Sequence, residues 1–253
     1  MKKILTLIGS RSNKSNTVKI AEMAVNKIIE NNPGENFEHE LLKPEQWNLL
    51  PCISCNNCFS KGFCVNDEKD GMKALKAKLL DADVIIMGSP VFAAHVSGDA
   101  KHLIDRLSLW LHTMPLIGRY GITLSTTSGN NGDAVIDYLG RMMELMGLQV
   151  VMRLNAFVHM GDPLLHEKDK IRALMREPVR TLSDALFKGI RPTASELLRL
   201  HYIYQSSQYI KLKKFAELYP AFASGEQRVW EEQGYQPHKT IEDLYLHLFD
   251  SKR

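Results

Sequence analysis

Apolar positions along the chain follow two rhythms. Short segments rich in apolar residues at Lys3–Ile8, Asp83–Gly88, Arg119–Ser125 and Gln149–Val158, and the more mixed Phe37–Leu42, read as strands. Between them, apolar residues return every three or four positions, as on one face of a helix. Ala21, Ala24, Val25, Ile28 and Ile29 make the first such face, which Asn31-Asn32-Pro33-Gly34 ends. Met72, Leu75, Leu79 and Leu80 make the second, and Leu103, Ile104, Leu107 and Leu111 the third. Val135, Leu139, Met142, Met143 and Met146 precede Gly147 as the fourth. The run Val84-Ile85-Ile86-Met87 does not alternate, which suits a parallel strand covered on both faces. Strands alternating with helices predict an α/β parallel sheet with right-handed crossovers. In such sheets ligands bind outside the carboxyl ends of the strands.

The loops at those carboxyl ends are rich in hydroxyls, amides and glycine. Gly9-Ser10-Arg11-Ser12-Asn13-Lys14-Ser15-Asn16-Thr17 joins the first strand to the first helix. Unpaired backbone N–H groups and the helix dipole make such a junction a natural phosphate site. It is neither a Walker A loop, since Asn13 precedes Lys14-Ser15, nor G-x-G-x-x-G. An ordinary βα loop with a capping Ser or Thr is the alternative. Gly88 to Gly98 follows the third strand, and Thr126 to Gly132 the fourth.

Beyond Asp162-Pro163 strand signals thin out, giving a division into residues 1–162 and a helical extension, 163–253. Thr193-Ala194-Ser195-Glu196 reads as a capping box opening a helix through Leu197, Leu200, Ile203 and Tyr204. Pro220 is expected to end the helical stretch, with turns at Gly225 and Gly234-Tyr235-Gln236-Pro237. The extension is either an arm bringing Tyr202, Tyr209, Trp230 or Tyr235 toward a ligand, or a cover burying its own apolar faces. Aromatic residues at helical spacing are usually core, which favours the cover.

Composition narrows the chemistry. With 44% apolar and 24% charged residues the chain is of soluble globular type. The net charge of +3 is interleaved rather than blocked, which argues against a nucleic-acid partner. The apolar run Ile4-Leu5-Thr6-Leu7-Ile8 is too short for a signal peptide, and no later run approaches the ~18 residues of a membrane span. All four cysteines lie within Pro51–Val65, as Cys52, Cys55, Cys58 and Cys64 in a C-x2-C-x2-C-x5-C run. Thiols crowded this way with no export signal fit the reducing cytoplasm. Two-residue gaps let thiolates turn onto a common centre, which favours an iron–sulfur cluster. Zinc and metal-free thiols are the alternatives, although zinc modules usually separate two Cys pairs by a longer loop. His95 lies in the second loop, but a solvent-facing histidine without a chemical role is the simpler reading.

Taken together, these motifs resemble the NAD(P)H-dependent FMN reductase branch of the flavodoxin-like fold, and more narrowly the iron–sulfur flavoproteins. Gly9-Ser10 to Asn16-Thr17 matches that family's first phosphate loop. Gly88-Ser89-Pro90-Val91-Phe92, with Val96-Ser97-Gly98, Lys101 and Ile104-Asp105-Arg106, matches its second flavin loop. The four cysteines match its compact cluster motif, and the resemblance runs to roughly residue 160. It implies a doubly wound five-stranded sheet of order 2-1-3-4-5. It implies FMN with its phosphate on the first loop, against Ser10, Ser15, Asn16 and Thr17, with Arg11 and Ser12 alongside. Pro90, Val91, Phe92 and Ala93 would lie along the isoalloxazine ring, with Thr126, Thr127, Ser128 and Gly129 at its polar edge. Cys52, Cys55, Cys58 and Cys64 would carry a [4Fe–4S] cluster. The implied activity is hydride transfer from NAD(P)H to FMN, with electrons passed to a quinone, flavin, small electrophile or redox protein. The flavin carries that chemistry, so no catalytic acid or base is named. A homodimer or a dimer of dimers is implied, and no membrane partner.

The sequence departs from the family pattern in three respects. Ser12 stands where an arginine is common, with Arg11 in the place of a usual proline. The stretch after Cys64 is one residue longer. Asp70-Gly71 replaces a common acidic pair.

Overall fold

The structure is a computed structural model that describes residues 1–158, 164–220, 224–233 and 238–250. Five strands, β1 (Lys2–Ile8), β2 (Phe37–Leu42), β3 (Val84–Pro90), β4 (Tyr120–Thr127) and β5 (Gln149–Phe157), form one parallel sheet of order β2-β1-β3-β4-β5. This is the expected flavodoxin-like arrangement. Between and after the strands come α1 (Asn16–Glu30), α2 (Pro44–Trp47), α3 (Asn57–Lys61), α4 (Met72–Asp81), α5 (Gly98–Arg106), α6 (Trp110–Thr113) and α7 (Gly132–Leu145). The extension adds α8 (Leu164–Phe187), α9 (Glu196–Leu218), α10 (Gly225–Glu232) and α11 (Ile241–Tyr245).

Successive strand residues point to opposite faces, and both faces are apolar because both are covered. Ile4, Ile8, Val84, Ile86, Ile122 and Leu124 pack with Ile20, Ala24 and Ile28 of α1 and with Ile171, Met175 and Leu182 of α8. Leu5, Leu7, Ile85 and Met87 pack with Met72, Leu75 and Leu79 of α4 and Leu103 of α5. The first extension helix thus completes one layer of the sheet, although residues 162 and 163 themselves lie outside the described residues. The rest of the extension has its own core, in which Leu198, Tyr202, Tyr209, Trp230 and Leu244 pack with Met114 and Ile117. Tyr202, Tyr209 and Trp230 are buried there, as a cover requires, while Tyr235 and the expected turn at 234–237 lie outside the described residues.

Several local expectations change. The third and fourth strands run on to Pro90 and Thr127, because Pro90 pairs with Thr126 in register and the Val91 N–H reaches the Thr126 carbonyl. Leu107 and Leu111 lie beyond α5, which stops at Arg106. The cap of α9 is Ser195 rather than Thr193, with its hydroxyl accepting from the Leu198 N–H. The buried face of α9 is Leu198, Tyr202, Gln205, Ser206 and Tyr209, whereas Leu200, Ile203 and Tyr204 are about half exposed. Both faces carry apolar residues, so periodicity does not choose between them and docking on Met114 and Ile117 does. Gly225 opens α10 instead of making a turn. Among the described residues no helix is long and apolar enough to cross a membrane.

Candidate functional site

The first loop ends in a capped helix N-terminus. The Ser15 hydroxyl accepts from the Val18 N–H at 3.4 Å, which leaves the N–H groups of Asn16 and Thr17 without intrahelical acceptors. No acidic residue occupies the first turn of α1, so its positive dipole end is not cancelled locally. Ser12 Oγ accepts from the Lys14 N–H at 3.1 Å, and Ser10 Oγ from the Ser12 N–H at 3.4 Å, folding the loop on itself. Ser10 and Ser15 are buried, Arg11 and Ser12 exposed and Asn16 half-buried. Thr17 is fully buried, and its hydroxyl lies 2.7 Å from that of Thr126. The structure therefore turns Thr17 inward, as a tie between the first loop and the end of β4.

Glycine sets the approach of the next element. A Cβ at Gly9 would fall 2.6 Å from Ser97 Oγ and 2.7 Å from the Ala100 Cβ, so only glycine lets the first loop lie against the start of α5. Ser97 caps that helix through the Ala100 N–H, and its own N–H donates to Ser89 Oγ at 2.8 Å. The second loop closes as a tight turn, with Phe92 and His95 exchanging two backbone hydrogen bonds. Ala93 and Ala94 take the left-handed conformation at φ 47° and 64°, which costs a residue with a Cβ and marks a constrained site. Asn131 Nδ2 donates to the Ala94 carbonyl at 3.2 Å and joins this turn to the third loop.

These ties leave an open cleft of about 430 Å³ lined by Val91, Ala93, Ala94, Thr126 to Asn130 and Val158. Of the expected ring-facing residues, Val91 and Ala93 line it, Pro90 ends β3 beside it and Phe92 stands 57% exposed at the turn. Thr126, Thr127, Ser128 and Gly129 all line it, and Thr127 Oγ1 both donates to the Asn130 carbonyl and accepts from the Gly129 N–H. His95 is exposed, with its ring edge-on to Tyr138 at 4.8 Å between centroids. A separate cleft of about 340 Å³, between Lys2, Asp83, Arg119 and Arg191, opens near the amino ends of the strands and receives none of these loops.

The cysteine segment is built as a stitched loop. Cys52, Cys55, Cys58 and Cys64 all line one cavity of about 390 Å³ with Asn66, Asp105 and Ser108. All four are free thiols. Burial is the chief cause that pushes the Cys58 thiol up, and nearby Cys64 and Cys52 add to it against the Phe59 backbone. Among the described residues no three His, Cys, Asp or Glu side chains converge on the position of a single metal ion.

The two ends of this loop meet at Arg106, whose side chain is fully buried. Its Nη1 donates to the Leu50 carbonyl at 2.7 Å and to Asp70, and its Nη2 to Asp67 at 2.9 Å. Asp70 also accepts from the Leu50 and Met72 N–H groups, and Asn66 Nδ2 donates to the Pro51 carbonyl at 3.2 Å. Lys76 Nζ, 2.6 Å from Asp67, completes a network of two cations and two carboxylates. Burial pulls the Arg106 guanidinium down, but Asp70 and Asp67 outweigh it and hold it above its ordinary value. The same α5 is capped beside the cleft at Ser97 and ends in Arg106 under the cysteine loop.

Sequence reasoning missed three positions here. Lys43, at the carboxyl end of β2, reaches the Arg11 carbonyl and Asn13 Oδ1, both at 3.4 Å, and adds a cation beside the first loop. Its place directly after a strand on the ligand edge was the available signal. Asp99 holds Arg11, and Asp70 holds Arg106; each pairing joins distant segments and leaves no local trace.

Residues 2–162 match the family described as NADPH-dependent FMN reductase. An iron–sulfur flavoprotein of Archaeoglobus fulgidus is 29% identical over 147 residues, covering 58% of this chain and 64% of the relative. One of Methanocaldococcus jannaschii is 32% identical over 132 residues, covering 51% of this chain and 64% of the relative. The chain thus matches somewhat under two thirds of the length of each. Among solved structures, RosB with a bound formylriboflavin-phosphate intermediate is similar at TM-score 0.57 and 15% identity, over 82% of this chain and 87% of that one. An apo NADH:FMN oxidoreductase is similar at TM-score 0.50 and 19% identity, over 71% and 87%. These structures share the fold. The match over residues 2–162 spans well over half of the sequence and takes in all three loops and the cysteine segment, so the chain belongs to the NADPH-dependent FMN reductase family.

Proposed function

We propose that the protein is an FMN-dependent NAD(P)H oxidoreductase of the iron–sulfur flavoprotein type. The observation that carries this reading is one cleft lined by the second and third carboxyl-edge loops and tied to the first loop by the Thr17–Thr126 contact, with a four-cysteine cavity at the far end of the same α5. The names of the archaeal relatives support it.

The residues present fit both cofactors. The free N–H groups of Asn16 and Thr17, the hydroxyls of Ser10 and Ser12 and the nearby Arg11 and Lys43 suit a phosphate. Val91, Ala93 and the 126–129 backbone suit a flat ring with a polar edge. Cys52, Cys55, Cys58 and Cys64 would hold a [4Fe–4S] cluster. When bound, FMN supplies hydride acceptance and a cluster supplies single-electron transfer. The protein's own contribution is positional. The Thr17–Thr126 tie and the Gly9–Ser97 contact fix the phosphate end relative to the ring end. The left-handed Ala93-Ala94 turn lines the cleft. The cleft stays open to solvent on one side, as entry of a nicotinamide and an electron acceptor requires.

The deciding experiment is an anaerobic ultraviolet–visible spectrum with iron and sulfide assays, followed by addition of NADH or NADPH. Flavin bands that bleach with nicotinamide, over a broad iron–sulfur shoulder with about four irons per chain, are expected. Flavin bands without iron would reduce the protein to a plain FMN reductase. Bleaching by a ferredoxin-like donor but not by nicotinamide would make it an electron carrier.

A further inference from the structure

The cysteine loop has a second boundary that its own segment does not supply. Its short helix α3 carries Cys58 and ends at Gly62, whose φ is +77° and whose N–H returns to the Cys58 carbonyl at 3.0 Å. Gly225, the first residue of α10, presses directly on this end. A Cβ at Gly225 would lie 1.9 Å from the Gly62 nitrogen and 2.2 Å from the Lys61 carbonyl carbon. Arg228, one turn further along α10, donates to the Lys61 carbonyl, which α3 leaves without a helical partner at its C-terminus. His112 also joins the two elements. Its ring packs on Phe59 at 4.9 Å between centroids, its Nδ1 lies 3.3 Å from Glu226, and its carbonyl accepts from Trp230 Nε1 at 3.1 Å.

We propose that α10 braces the cysteine site from behind α3, and that the Gly62–Gly225 contact positions Cys58 and Cys64 on their shared cavity. Gly62 lies between these two cysteines in sequence, so its placement bears on the segment that brings both to the cavity. The extension, which lies outside the segment that matches the family, thereby acquires a role at the redox centre. In its consequence for a cluster this inference rests on the function proposed above; in its consequence for the thiols it does not.

The test compares the full-length protein with Gly225→Val, reconstituted with iron and sulfide without oxygen. Far-ultraviolet circular dichroism and FMN content serve as folding controls, since Gly225 touches none of the flavin loops. If the parent protein holds a cluster, Gly225→Val is expected to release iron to a chelator roughly tenfold faster or more, with FMN retained, as when a local opening becomes easier. Equal release rates would overturn the proposal. If the parent holds no iron, the cluster reading fails by itself, and alkylation of Cys58 and Cys64 by iodoacetamide, followed by mass spectrometry, decides. Several-fold faster labelling in the variant sustains the brace, and equal labelling removes it. Should Gly225→Val fail the folding controls, Arg228→Ala is read by the same two criteria.

Discussion

Arg106 and Asp70 form a buried ion pair, and the Leu50 carbonyl is held by the same guanidinium. One side chain thus spans both ends of the cysteine loop. The pair is desolvated, with 0% and 2% of the two side chains exposed, so removing one member leaves a buried charge inadequately matched. Asp70→Asn is expected to cost roughly 3–5 kcal/mol, the range for breaking a buried pair. Urea unfolding at neutral pH measures it as a fall in midpoint at constant slope. A midpoint within error of the parent protein would mean that Asp67 alone satisfies Arg106.

The same pair predicts a pH dependence. Burial by itself pushes the Asp70 carboxyl up, but Arg106 and the N–H groups of Leu50 and Met72 outweigh burial and hold it below its usual value. The folded protein therefore binds that proton less tightly than the unfolded chain, where the carboxyl titrates near ~3.9. The stabilisation is complete above that value and is lost as pH falls through the depressed folded value. Melting temperatures across this range should show the gap between the parent protein and Asp70→Asn narrowing as the medium becomes more acid. A constant gap would assign the acid sensitivity to other carboxylates.

Thr17 separates a brace from a ligand contact. Its hydroxyl is committed to Thr126, so Thr17→Val orphans a buried hydroxyl and should destabilise the apoprotein by about 1–3 kcal/mol. FMN should then dissociate only somewhat faster, through a looser loop, and Thr17→Ser should restore both properties. The measurements are apoprotein melting and quenching of FMN fluorescence. Unchanged melting with a large loss of FMN affinity would place the hydroxyl on the phosphate instead.

What the sequence disclosed follows the range of the interaction that decides each feature. The Phe37–Leu42 strand has the expected bounds although it is an edge strand carrying Glu38, His39 and Glu40, and the sheet's parallel character is visible in Val84 to Met87, because burial on both faces is written in consecutive residues there. The carboxyl-edge loops are legible for a related reason: Ser, Thr and Gly accumulate where backbone must face a ligand. Ends that depend on a neighbouring strand, such as Thr127, shift by a residue or two. The apolar side of α9 was misjudged because Leu200 and Tyr202 are equally suited to burial, and only Met114 and Ile117 choose between them. Arg106–Asp70, Arg11–Asp99 and Gly62–Gly225 each join segments far apart in sequence, and no local pattern encodes them.

Arg11 tests whether an arginine displaced by one position from the family pattern still serves the phosphate. The side chain is 63% exposed and forms two hydrogen bonds, at 2.9 and 2.8 Å, with Asp99 in the first turn of α5. An exposed pair of this kind adds little to stability, so Arg11→Ala should melt with the parent protein. Asp99 meanwhile neutralises the charge that a phosphate would seek, and competes for the same N–H groups. Arg11→Ala should therefore weaken FMN binding several-fold at low salt and less at high salt, where screening already suppresses the attraction. Asp99→Asn should do the reverse, tightening FMN at low salt by freeing the guanidinium. In the double variant the Asp99 change should have no further effect, because nothing remains for it to release. Fluorescence titration of the apoprotein with FMN at two salt concentrations reads all four proteins. If Arg11→Ala binds FMN like the parent at low salt, Arg11 is a strut between the first loop and α5, and the phosphate relies on Lys43 and the α1 N-terminus.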